Sequence, residues 1–171
     1  TPNSPLKLEV EEGLGPRYYC FHPSLSIVYF SDEQGCSVTG YNMDNSTGAL
    51  TAFQTITTLP EGYTGRNTCS QIQISPSGKF LYVPNRGHNS IAGFAVDASN
   101  GRLTAIGQVS TEAVPNAFSM DPEGKFIFAA GAASGRLASY RINGDTGELT
   151  PLETYSVGQR PAGVLVTSLG D

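Results

Sequence analysis

The sequence predicts an all-β fold made of β-propeller blades of four antiparallel strands, about half of a seven-bladed ring. One unit recurs three times: the turn pairs His22-Pro23, Ser75-Pro76 and Asp121-Pro122 correspond, as do Thr47-Gly48, Asn100-Gly101 and Thr146-Gly147, at spacings of 53 and then 46 residues. Each unit holds about four short runs rich in Val, Ile, Phe, Tyr and Thr, separated by Gly, Pro, Asn and Asp, the pattern of strands and turns. A period in the forties with four strands per unit marks a propeller blade rather than a sandwich, whose strands do not repeat in fours. The chain has no Trp, so the Trp-Asp signature of one propeller class is absent.

The elements follow in chain order. PLKLEVEE, residues 5–12, reads as a leading strand. The first blade, about 16–58, runs through RYYCFHP, SIVYFSDEQ, SVTGYNMD and NSTGALTAFQTITT. EGYTGR, Glu61 to Arg66, is an insertion that absorbs the longer first spacing. The second blade, about 66–111, contains ISPSGKFLYVPNRGHNSIAGFAVD, and the third, about 115–158, contains NAFSMDPEGKFIFAAGAASGRLASYRI. PAGVLVTS, residues 161–168, reads as a trailing strand, for about fourteen strands in all. An open arc of blades leaves strand edges unpaired, so the chain is expected to need an N-terminal half or a second copy of itself to close.

Composition narrows the class. With 15% charged and 39% hydrophobic residues over 171 positions, the chain is a folded soluble protein rather than a disordered one. A net charge of -5 offers no basic field for nucleic acid or an anionic membrane. Of the ten cationic residues seven are Arg, a bias suited to planar recognition of carboxylate or phosphate. Cys20, Cys36 and Cys69 are odd in number without metal-ligand spacing, which points to thiols in a reducing compartment. No apolar run reaches the length of a membrane span, and TPNSPLKLEV is no signal peptide.

Strands alternate direction within a blade, so the loops sort onto two faces. One face takes HPS, SPSGK, DPEGK and the three turns ending in Thr-Gly or Asn-Gly; these repeat closely and read as scaffold. The other takes Arg17, Glu33, Arg66, Asn67, Arg86, His88, Asn116 and Arg160, four of the seven arginines and no lysine. Loops that vary between matched repeats and gather Arg, Glu and His are where a site belongs. NRGHNS in the second blade faces plain AAGAASG in the third, which tilts Arg86 toward function. His88 alone carries less, since a single loop His is usually solvated, and His22 is a turn residue matched by Ser75 and Asp121. Glu33 and Arg86 occupy corresponding positions, which makes them neighbours between blades.

GLGPRYYCFHP followed by SDEQ, then the stretch from Ser75 to Asp97, then VGQRPAGV, resembles the seven-bladed propeller lactonase family. That family includes propeller-type 6-phosphogluconolactonases and 3-carboxy-cis,cis-muconate lactonizing enzymes. The likeness runs through nearly the whole chain and looks like the C-terminal half of such a protein. It implies hydrolysis of a sugar lactone, with 6-phosphogluconolactone the first substrate to expect. The alternatives are the muconate cycloisomerase reaction and a non-catalytic propeller that binds an anionic ligand or a protein partner. By position it implies Arg17, Glu33 and Arg86 as catalytic residues, with Glu33 the general base and an arginine on the oxyanion or phosphate. His88, Arg66, Asn67, Asn116 and Arg160 would bind substrate. A small anionic lactone, no cofactor, no metal and a cytoplasmic location complete the expectation. Two departures stand out: Tyr18 where the family has His, and Ser31-Asp32 where it has Asn before the Glu.

Overall fold

The computed structural model describes residues 8–168. Among these residues twelve strands form three four-stranded antiparallel sheets, each in simple sequential order. Blade 1 is β1 (Pro16–Phe21), β2 (Ile27–Asp32), β3 (Ser37–Met43) and β4 (Leu50–Thr57). Blade 2 is β5 (Gln73–Ile74), β6 (Phe80–Asn85), β7 (Ser90–Val96) and β8 (Leu103–Ser110), and blade 3 is β9 (Pro115–Met120), β10 (Phe126–Gly131), β11 (Arg136–Ile142) and β12 (Leu149–Ser156).

The blades stack in chain order through two cores. Successive side chains of a strand point to opposite faces, so the middle blade feeds both. Leu81 and Val83 of β6 join Ile27, Tyr29 and Val38 against blade 1, whereas Phe80 and Tyr82 join Phe118, Ile127 and Tyr140 against blade 3. Burial on both faces is why FLYVP is an unbroken apolar run.

Repeated polar latches join the blades. Tyr29 on β2 donates to the carbonyl of Gly101 at 2.6 Å, and Tyr82, at the matching position of β6, donates to Gly147 at 2.7 Å. The Gln54 side chain bonds both the carbonyl and the amide of Leu103, at 2.9 and 2.8 Å. Gly107 holds the position of Gln54 in blade 2, as the pairings Gly40–Gln54 and Gly93–Gly107 show, and an open pocket lined by Gly93, Gly107 and Leu149 lies there instead. Ser31 Oγ on β2 donates to the Ser70 carbonyl at 2.8 Å, and Ser70 Oγ, ahead of β5, to the Pro115 carbonyl at 2.9 Å. The amides of Phe118 and Met120, on the outer edge of β9, donate to the side chains of Gln71 and Gln73, both at 2.7 Å.

The two flanking segments have no ladder partner within this chain's described residues. Residues 5–7 lie outside the described residues, while 8–12 and 161–168 form no strand. A strand exists by pairing, and the expected pairing strands belong to an N-terminal half or a second copy. The residues just after the first segment bond a loop instead: the carbonyls of Leu14 and Gly15 accept the amides of Glu33, Gln34 and Gly35.

Candidate functional site

Three four-residue loops, 33–36, 86–89 and 132–135, join the second and third strands of the blades on one face. Their closing pairs match: Asp32 with Ser37, Asn85 with Ser90, Gly131 with Arg136. The fourth residue of each is left-handed: Cys36 at φ 51°, Asn89 at 54° and Gly135 at 68°. The backbone is thus common to the three, while the first position carries Glu33, Arg86 and Ala132 in turn.

Glu33 and Arg86 meet across the junction of blades 1 and 2. Arg86 Nη2 donates to Glu33 Oε1 and to the Cys69 carbonyl, the latter at 3.0 Å. Arg17, on β1, adds Nη1 at 2.9 Å from both carboxylate oxygens, closing an Arg–Glu–Arg cluster. The hydrogen bond from Arg86, and then that from Arg17, hold the Glu33 carboxyl below the usual carboxylate range. The bond to Glu33 raises the pKa of Arg17 in turn. Glu33 and Arg17 therefore stay ionised at neutral pH, with Arg86 the most buried of the three side chains and Arg17 reaching solvent. Arg86 Nε is buried without a hydrogen-bond partner, an unspent donor beside the cluster.

The long linker between β4 and β5 supplies the rest. Arg66, Asn67 and Thr68 line an open pocket with Arg86 and Gly87. Arg66 is exposed, whereas Asn67 is a clamp: its Oδ1 accepts the amides of Gly87 at 2.8 Å and His88 at 3.0 Å, and its Nδ2 donates to buried Asn85 at 2.9 Å. His88 lies 2.7 Å from Ser90 Oγ through Nδ1 and meets Tyr63 edge-on. His22 accepts the amides of Ser24 and Leu25 on the opposite face, as a turn residue does.

Arg17, Glu33, Arg86, Arg66 and Asn67 are thus brought together. Arg160 stands apart from the cluster. Arg160 follows β12 and lines a separate pocket with Ala132 and Gly135 of blade 3, and Asn116 sits half-buried on β9. Arg136 begins β11 at the same end and faces Glu112 at 3.7 Å, a fifth arginine that the loop reading passed over because it counts as strand.

Asp32 is the residue that sequence reasoning missed. It is fully buried; its Oδ2 accepts Ser37 Oγ at 2.8 Å and Thr39 Oγ1 at 2.7 Å, and its Oδ1 has no hydrogen-bond partner. Burial raises its pKa, only partly opposed by the two hydroxyls. Its register match to Asn85 was the available signal. Among the described residues no three His, Cys, Asp or Glu gather as a metal site would require.

Comparison with known proteins agrees with this architecture. Residues 2–166 match the family described as Lactonase, 7-bladed beta-propeller. A 6-phosphogluconolactonase of Pectobacterium carotovorum is 36% identical over 157 residues, 92% of this chain and 47% of that protein. Among solved structures, a Lactobacillus plantarum protein superposes with a TM-score of 0.87 at 33% identity, covering 91% of this chain and 46% of the other. The periplasmic gluconolactonase of Pseudomonas aeruginosa superposes at 0.86 and 27% identity, covering 92% and 44%. The chain spans about half the length of the proteins it matches.

Proposed function

The chain belongs to the seven-bladed β-propeller lactonase family, and on that premise we propose that the closed propeller hydrolyses a sugar lactone, 6-phosphogluconolactone first among candidates. The observation that carries the reading is the Arg17–Glu33–Arg86 cluster beside the Arg66 pocket. Opening a lactone requires water to attack the ester carbonyl, a donor for the oxyanion that develops, and a base for the water proton. Arg17 at the solvent side of the cluster, or Arg86 behind it, supplies charge-assisted donors to the oxyanion, and exposed Arg66 takes the phosphate.

Glu33 resting between two guanidinium groups is a weak base, since its proton affinity is lowered. An anionic substrate that draws exposed Arg17 away removes one of those hydrogen bonds and returns the carboxylate toward a useful basicity. Substrate binding then switches the base on. The supporting blades come from an N-terminal half or a second copy: blade 1 exposes Tyr19 and Phe21, and blade 3 exposes Leu152, Tyr155 and Val157. The three free thiols fit a reducing compartment, and we place the protein in the cytoplasm.

The test is acid release from 6-phosphogluconolactone by the closed propeller. Glu33→Gln should cut kcat at least about 100-fold, the lower end of what a positioned general base contributes. Full turnover in that variant, with anion binding kept or tightened, would mean that the face binds anions without catalysis. Arg86→Ala should likewise lower turnover by about 100-fold or more, the cost of losing an oxyanion donor.

A further inference from the structure

Cys36 and Cys69 have no part in the chemistry above, yet their placement is unusual. Cys36 occupies the left-handed fourth position of its loop, where the sister loops carry Asn89 and Gly135, the residue types that tolerate it best. A cysteine there strains the backbone. Cys36 of blade 1 and Cys69, just before β5 of blade 2, pack in one buried cluster at the blade junction, where Cys36 Sγ lies 3.7 Å from the Gln34 carbonyl and Cys69 Sγ 3.8 Å from Asn85 Oδ1. Thr58 fixes the approach: its Oγ1 lies 3.0 Å from the Cys36 carbonyl and 3.2 Å from Cys69 Sγ. Cys36 is 9% exposed and Cys69 wholly buried, so a small reagent reaches the pair from the Cys36 side.

We propose that Cys36 and Cys69 are a reversible oxidation site for hydroperoxides, closing to a disulfide that staples blade 1 to blade 2. The Cys36 thiolate attacks one peroxide oxygen and the O–O bond breaks. The sulfur becomes a sulfenic acid, and hydroxide, or an alkoxide, leaves. The Cys69 thiol then displaces the hydroxyl from the Cys36 sulfur: the S–S bond forms, the S–O bond breaks and water departs with the thiol proton. The two sulfurs together lose two electrons to the peroxide. The hydrogen bonds from Cys69 and Asn67 agree with these roles, for they bring the Cys36 thiol down to about 6, whereas burial pushes Cys20 up to about 12. The backbone of Cys69 ties the staple to the site, since its amide donates to the Glu33 carbonyl and its carbonyl accepts Arg86.

The experiment is hydrogen peroxide treatment of the chain at pH 7, followed by blocking of free thiols and non-reducing peptide mapping by mass spectrometry. A Cys36–Cys69 linked peptide that dithiothreitol dissolves is the expected result. In Cys69→Ser, dimedone should label Cys36 about ten-fold or more faster than Cys20, as a low-pKa thiol requires. Oxidation that starts at Cys20, or Cys36 passing to sulfinic acid with no linked peptide in the unmodified chain, overturns the proposal.

Discussion

Asp32 and Glu33 are adjacent carboxylates with opposite proton affinities. Asp32 is buried among hydroxyls, so its proton is held more tightly folded than unfolded; its contribution to stability is present at acid pH and is lost as pH rises through its folded value. Glu33, lowered by Arg86 and Arg17, contributes above its unfolded value and loses that contribution as pH falls through its folded one. Asn85 holds the Asp32 position in blade 2 and is fully satisfied there: Oδ1 accepts Thr58 Oγ1 and Asn67 Nδ2, and Nδ2 donates to the Thr58 carbonyl and Ser90 Oγ. Asp32→Asn is therefore expected to stabilise the fold at pH 7 by about 1 kcal/mol of relieved burial, seen as a raised thermal midpoint, and to give no gain at pH 3. Midpoints measured across that range check the sign; a gain independent of pH would assign the effect to packing.

Blades repeat their strands but not their latches. Tyr29 and Tyr82 each reach the next blade, whereas β10 carries Phe128 at that position. Tyr29→Phe leaves the Gly101 carbonyl buried and unpaired, and should cost about 1–3 kcal/mol in urea unfolding. Gln54→Ala loses two backbone bonds at once and should cost about 1–2 kcal/mol. The strands, their order and the two faces were legible in the sequence, because alternation and turn residues are local signals. The pairing of Glu33 with Arg86 was legible too, because the repeat puts both at one loop position. The packing of Cys36 near Cys69 and the Asn67 clamp were not, since each depends on how a linker packs between blades, and Asp32 was passed over because its burial comes from Ser37 and Thr39 across its own hairpin. The segment 161–168 has strand composition in VLV, but a ladder also needs a partner strand, which composition does not supply.

At the scale of the molecule, the three blades end in apolar sheet faces. Tyr19, Phe21, Val28, Phe30, Met43 and Leu50 line a pocket on the free side of blade 1, and Leu152 and Tyr155 lie exposed on β12. The 171-residue chain alone should show a mass in light scattering that rises with concentration, and Tyr19→Glu with Tyr155→Lys should return it to monomer. A monomer at all concentrations would show that these faces need no cover. The shared backbone of loops 33–36, 86–89 and 132–135 has one more consequence. With the fourth residue fixing the bend, the first is free to change, so each loop behaves as a socket into which evolution can fit a different side chain without redrawing the frame. Glu33 and Arg86 fill two sockets with opposite charges, and Ala132 leaves the third blank. A propeller that needed a new substrate could acquire it by one substitution there, keeping every strand where it is.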